Sequence, residues 1–255
     1  MPEIKPQVYK DPRPAADFDR FHGWIRAHRP GWIYSLVRII VTPLLVFVYR
    51  GWALGVHNVP ERGPFILAPN HFSNLDHFFC GVYIRRRLQF MGKSQIFGRS
   101  RILDYIFRVG GVFPVRRGHR DEEAFVTARS IVGRSGSVCI YCEGGRQRGE
   151  RLGEPKPGVG RLALETGVPV IPVAIHGSQG VRGWRRLRFP RVTLQYGEPV
   201  VFACNEAPTR DEQLAASAEV FARIKEMYAV LEAEGREGAR RRLQFDDAGL
   251  GERAS

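Results

Sequence analysis

Cysteine is scarce: four residues in 255, too few to staple a chain of this length, so the core has to come from apolar packing. Cys139-Ile140-Tyr141-Cys142 is a Cys-x-x-Cys, but it lies in an apolar strand-like run rather than opening a helix. No second Cys/His pair stands at metal-ligand spacing, which argues against zinc and redox readings. A reduced, cytosolic setting is expected. Acidic residues are also in short supply, 26 Asp+Glu against 39 Lys+Arg, leaving a net charge of +13. That excess implies an anionic partner: a phosphate-bearing substrate, an acidic membrane surface or nucleic acid. Long apolar runs are missing. The first thirty residues have no apolar core, so no signal peptide is expected. From Trp32 to Trp52 the best stretch is Ile39 to Val48, interrupted at Thr42 and Pro43 and flanked by Arg38 and Arg50. That falls short of a bilayer span. It suits an interfacial amphipathic hairpin kinked at Pro43, anchored by Trp24, Trp32, Tyr34, Tyr49 and Trp52. A soluble helix packed on its own core is the alternative. No internal repeat is visible.

What remains is globular: 44% hydrophobic, 11% aromatic and 25% charged, enough for one sizeable domain. Residues 1 to about 22 read as a flexible arm, followed by two helical pieces up to about Arg50. Trp52 to Val59 reads as a strand. Further strands are expected at Phe65–Leu67, Leu88–Met91, Val112–Val115, Val138–Tyr141, Val170–Ile175 and Val192–Tyr196. Helices are expected at Leu75–Ile84, Arg101–Arg108, Glu122–Val132, Val159–Thr166 and from Arg210 to about Glu234. This alternation predicts an α/β fold, a central mixed sheet flanked by helices, with an N-terminal two-helix membrane-interfacial segment. The division expected is 1–50 for the arm and membrane-associating segment, 51–235 for the main domain, and 236–255 for a flexible charged tail beyond Gly235.

Four stretches gather the chemistry. The first, Ala68-Pro69-Asn70-His71-Phe72-Ser73-Asn74-Leu75-Asp76, reads as strand, loop and helix start, with Ser73 or Asn74 as N-cap. On one regular helix His71 and Asp76 would face apart, but a loop-to-helix corner can fold the imidazole onto the carboxylate. A carboxylate accepting from one ring N–H leaves the other nitrogen as a base. The plainer alternative is a satisfied loop histidine beside a helix-start carboxylate. The second stretch, Gly110-Gly111-Val112-Phe113-Pro114-Val115-Arg116-Arg117, joins a glycine pair to two guanidiniums suited to phosphate, or is a solvated basic turn. The third runs an apolar strand into Glu143-Gly144-Gly145-Arg146, exposing amides, a carboxylate and an arginine, or is a plain Gly-Gly turn. The fourth, Val168-Pro169-Val170-Ile171-Pro172-Val173, reads first as a structural strand, its prolines suiting an edge or bulge, or a place beside an apolar ligand.

In this order, over about residues 50 to 200, the four stretches resemble the blocks of the PlsC-like phospholipid/glycerol acyltransferase family, the 1-acylglycerol-3-phosphate acyltransferases. His71-x4-Asp76 matches the first block, Gly111 to Arg116 the second, Glu143-Gly144-Gly145-Arg146 the third and Val168 to Val173 the fourth. The resemblance implies transfer of a fatty acyl group from acyl-CoA or acyl carrier protein to a glycerolipid hydroxyl, 1-acylglycerol-3-phosphate being the default acceptor. His71 would be the general base and Asp76 its partner. Arg116 and Arg146 would hold the acceptor's phosphate, Arg117 assisting and Glu143 orienting the arginine or the glycerol hydroxyls. Amides of the 143–146 loop are candidates for the oxyanion. Asn70, Gly111, Phe113, Gly144 and Gly145 fall in the substrate-binding blocks. No metal or bound cofactor is implied. The expected place is the cytoplasmic face of an anionic membrane, peripheral or monotopic. Three departures, Gly145 for threonine, Tyr141-Cys142 for Phe-Pro and Gln147 for serine, bear on the acceptor more than on the reaction.

Two rival classes remain. A non-catalytic lipid- or membrane-binding protein would not need both His71 and Asp76, and thioester turnover separates the two. A nucleic-acid module rests only on charge, on Arg85-Arg86-Arg87 and on Arg182, Arg185, Arg186, Arg188 and Arg191, without a nucleic-acid fold signature.

Overall fold

Residues 11–117, 121–149, 151–181 and 189–253 are described by a computed structural model. Arg182, Arg185, Arg186 and Arg188 lie outside them. Seven strands, β1 Trp52–Leu54, β2 Phe65–Pro69, β3 Gln89–Lys93, β4 Val112–Val115, β5 Ser137–Cys139, β6 Val170–His176 and β7 Thr193–Tyr196, form one sheet in the order β1-β7-β6-β2-β5-β3-β4. All neighbours are parallel except β6 and β7. The helices are α1 Asp19–Ala27, α2 Trp32–Pro43, α3 Asp76–Val82, α4 Arg101–Gly110, α5 Glu122–Gly133, α6 Gly158–Thr166 and α7 Arg210–Arg253. The expected mixed α/β sheet is what forms.

Strands covered on both sides need apolar residues at successive positions. In β2, Ile66 and Ala68 enter one core cluster with Ala128, Leu162 and Phe221 from α5, α6 and α7. Phe65 and Leu67 enter the opposite one with Phe79 and Cys80 from α3. Crossovers through α3, α4 and α5 carry the chain from β2 to β5, so the C-terminal ends of β2, β3, β4 and β5 share one rim. In α/β sheets that rim is where sites form.

Several expectations need correction. Residues 11–22 are not a loose arm. Arg13 pairs with Asp11 at 2.7 Å and donates to the carbonyls of Phe97 and Ser94, while Phe18 and Phe21 pack on Phe97. The strand from Trp52 stops at Leu54, where Gly55 turns with φ +65° into a short 3-10 turn. Pro172 lies in an interior strand rather than an edge. The Pro172 carbonyl accepts from Gly197, just past the end of β7, so the missing proline N–H falls where β6–β7 pairing has already ended. Gly235, at φ 67° and ψ −166°, breaks α7, yet helical backbone resumes and runs to Arg253. Arg236 then donates to the Arg50 carbonyl at 2.7 Å and Ala239 is buried, so the charged tail begins as packed helix.

The N-terminal segment is a bent pair, Ala15–Ala27 and Trp32–Val48 at 88°, with its turn at 28–31 and one π-helical turn, Leu44–Val48, after Pro43. Among the described residues no single helix is long and apolar enough to cross a membrane. Of the five expected aromatic anchors, Trp32 and Trp52 are exposed, whereas Tyr49 is buried and the Tyr34 hydroxyl accepts from the amide of Leu88. Arg86 donates to the carbonyls of Pro60 and Gly63, and Arg87 to that of Pro30. These arginines fasten loops, which argues against a phosphate-tracking stripe. All four cysteines are free thiols, three of them buried.

Candidate active site

The corner after β2 is fixed before any catalytic group is placed. Asn70 accepts from the amide of Ile175 at 2.7 Å and donates to its carbonyl at 3.0 Å, tying the loop to β6. The amide of His71 donates to Glu143 Oε2 at 2.7 Å, and its carbonyl accepts from Gln147 N at 2.8 Å. The loop after β5 thus grips the loop after β2. The His71 ring then folds back so that Nδ1 lies 3.0 Å from Asp76 Oδ2. The same oxygen accepts the amides of Phe72 and Ser73, each at 2.8 Å. Asp76 is the first residue of α3, and the amides its carboxylate holds belong to the loop before the helix. Neither Ser73 nor Asn74 is the N-cap, although Ser73 Oγ accepts from the amide of Leu75 at 3.2 Å. Tyr141 lies flat on the other side of His71, ring centroids 3.7 Å apart and planes at 17°.

Asp76 therefore holds the proton on Nδ1 and leaves Nε2 as the base. Burial pushes the His71 pKa below its usual value; Asp76 pulls upward, and the charges of Arg117 and Arg146 push further down. A neutral imidazole near pH 7 is the form a general base needs. Glu143 is raised to about 7 by burial, against the lowering effect of the amides of Gly153 and His71.

A cavity of about 730 Å³ opens beside His71 between α2, α3, β3 and α4. Lys93, Arg99, Arg117 and Arg146 share its lining with His71, while Ile33, Val37, Phe78, Val82, Ile106 and Phe107 supply apolar wall. Cations together with an apolar wall suit an amphiphile with an anionic head.

The expected site residues divide accordingly. His71, Asp76, Arg117 and Arg146 come together. Arg116 is not among the described walls; its amide donates to Asp121 at 2.6 Å. Gly111 ends α4 with φ +87°, at the opposite end of β4, where a Cβ would meet Pro30 at 2.7 Å. Phe113 is fully buried in the α5–α7 core, because strand alternation turns it away while Val112 faces the cavity. Burying such a ring contributes roughly 1.5–3 kcal/mol to the fold. Glu143 has its two oxygens on the amides of His71 and Gly153, so it fixes the base rather than a substrate hydroxyl. Gly144, at φ +65°, makes the turn back to the Tyr141 carbonyl, and Gly145 is buried behind it. Asn70, as described, is structural. Lys93, Arg99, His77 and Tyr141 were missed. Lys93 carried a signal, since it closes β3 at the catalytic rim, and Tyr141 carried another as a departure from the family block.

The chain thus joins a largely parallel α/β sheet to a His–Asp pair on the corner after an interior strand, facing a basic and apolar cavity. Residues 54–176 match the Acyltransferase family model, and the chain is similar to PlsC-like acyltransferases. A chloroplastic 1-acyl-sn-glycerol-3-phosphate acyltransferase of Brassica napus is 27% identical over 62% of this chain and 49% of its own length. One from Arabidopsis thaliana is 26% identical over 61% and 46%. A probable 1-acyl-sn-glycerol-3-phosphate acyltransferase of Mycoplasma genitalium is 28% identical over 48% and 47%. The chain thus spans about half the length of the curated relatives it matches. The crystal structure of PlsC from Thermotoga maritima shares the fold, with a TM-score of 0.58 at 18% identity, covering 86% of this chain and 97% of that one.

Proposed function

We propose that the protein transfers a fatty acyl group from an acyl thioester, carried by CoA or acyl carrier protein, to a hydroxyl of a lysophospholipid, 1-acylglycerol-3-phosphate first among them. The observation that carries this is the buried His71–Asp76 pair at 3.0 Å on a cavity whose lining is both apolar and basic. His71 Nε2 takes the proton of the acceptor hydroxyl as its oxygen attacks the thioester carbonyl. Collapse of the tetrahedral intermediate breaks the C–S bond, and the leaving thiolate receives the proton from the His71 imidazolium. Arg117, Arg146, Lys93 and Arg99 hold the acceptor's phosphate, and the apolar wall takes an acyl chain. The acceptor and product favour a bilayer, and α2, the π-helical turn after it and α4 support a membrane-facing role. Ile39 and Phe47 are 69% and 77% exposed and Ile102 is 72% exposed, a set of large apolar side chains left in water. The test is mass spectrometry of products after incubation with acyl-CoA and a panel of lysophospholipids. Diacylglycerol phosphate from 1-acylglycerol-3-phosphate is expected; free fatty acid alone, or no thioester consumption, would refute the reading.

A further inference from the structure

His77 is the neighbour of Asp76 in sequence and of the base in space. Its ring centroid lies 5.2 Å from that of His71, and it lines the same cavity. The Tyr141 hydroxyl sits 2.8 Å from His77 Nδ1. Burial raises the Tyr141 pKa well above its ordinary value, so the phenol keeps its proton and has it to donate. Burial, with His71, Arg117 and Arg146 adding to it, lowers the His77 pKa to about 3, so the ring is neutral and carries a single N–H. If Nδ1 accepts from tyrosine, that hydrogen is on Nε2. Among the described residues Nε2 has no hydrogen-bond partner.

We propose that His77 is a second catalytic group: fixed by Tyr141 with its proton on Nε2, it donates that N–H to the thioester carbonyl oxygen as negative charge develops there. The role rests on the acyl-transfer reading above. Its spacing suits it. The acceptor oxygen sits about 3 Å from the base and about 3 Å from the carbonyl under attack. A donor to the carbonyl oxygen therefore belongs on a ring adjacent to the base, not on the base itself. His77 gives up no proton: the acceptor's proton passes to His71 and then to the leaving sulfur, while the carbonyl electrons move onto oxygen and return as the C–S bond breaks. A neutral imidazole is the better donor here, since it remains matched to the oxyanion without adding a further cation to a ground state already lined by Lys93, Arg99, Arg117 and Arg146. Tyr141 is then a positioning residue. Its ring stacks on the base and its hydroxyl sets the tautomer of the donor, which gives a physical role to a departure from the family block.

The experiment compares full-length wild type, His77→Phe, His77→Gln and Tyr141→Phe in transfer from acyl-CoA to 1-acylglycerol-3-phosphate, with 15N-histidine NMR of the wild type and Tyr141→Phe. His77→Phe is expected to lower kcat about a hundredfold, the scale of losing one oxyanion donor, with KM for acyl-CoA changed less than about threefold. His77→Gln, which keeps an N–H, should recover part of the loss. NMR should show the neutral Nε2–H tautomer at His77 in wild type and a mixture in Tyr141→Phe. Full kcat in folded His77→Phe, or an Nδ1–H tautomer in wild type, would overturn this role alone. A wild type that turns over no thioester would overturn the acyl-transfer reading and the role with it.

Discussion

Arg117 lines the cavity that holds His71, and Arg116, its neighbour in the chain, does not. The two were indistinguishable as residue types, and β4 delivers both to the same rim. The position of each relative to the cavity decides between them. Arg117→Ala and Arg146→Ala are each expected to raise the acceptor's KM about tenfold or more, with KM for acyl-CoA little changed. Arg116→Ala should stay within about threefold of wild type on both. Initial-rate kinetics with each substrate varied checks this; an acceptor-specific defect in Arg116→Ala would move the phosphate site.

The pH dependence of kcat/KM separates the charges around the base. His71 is already lowered by burial, raised by Asp76 and lowered again by Arg117 and Arg146. The acid limb of the wild-type profile should therefore lie below the ordinary histidine value. Arg117→Ala removes a lowering charge and should shift that limb to higher pH. Asp76→Asn removes the raising partner and should shift it to lower pH while reducing the rate. Shifts in the reverse directions would mean that a group other than His71 sets the limb.

Most of the architecture was legible in the sequence. Strands Phe65–Pro69, Val112–Val115 and Val170–His176 announce themselves as apolar runs because both faces of the sheet are covered. The His–Asp corner was legible because a strand–loop–helix junction was the one geometry that could join residues five apart. Orientation within the blocks was not. Phe113 and Val112 differ only in strand phase, and Glu143 could not be assigned to backbone amides until two loops far apart in sequence met. Arg99 reached the cavity through tertiary packing that no local pattern encodes.

Asn70 supplies a test of the scaffold. Asn70→Ala removes both bonds to the buried backbone of Ile175. Leaving such groups unpaired costs about 1–3 kcal/mol each. Urea unfolding should show a lower midpoint with an unchanged m-value, corresponding to about 2–6 kcal/mol of lost stability. An unchanged midpoint would show that this loop is held elsewhere.

Membrane docking is best probed by substitution, because deleting the N-terminal segment would also strip Phe21 and Ile25 from the core. Ile39→Asp with Phe47→Asp should weaken co-sedimentation with anionic liposomes by about a hundredfold or more, given about 1.5–3 kcal/mol for each large apolar side chain transferred. Circular dichroism should be unchanged, since both side chains face water. Equal binding by the variant would remove α2 and the π-helical turn after it as the docking face.

The most direct measurement of the central claim is the acyl-transfer rate of His71→Ala, in protein shown by circular dichroism to be folded. Loss of the general base predicts a fall of about a hundredfold or more, with a smaller loss in Asp76→Asn, where the base remains but its tautomer is no longer held. Turnover by His71→Ala within a few-fold of wild type would contradict the account.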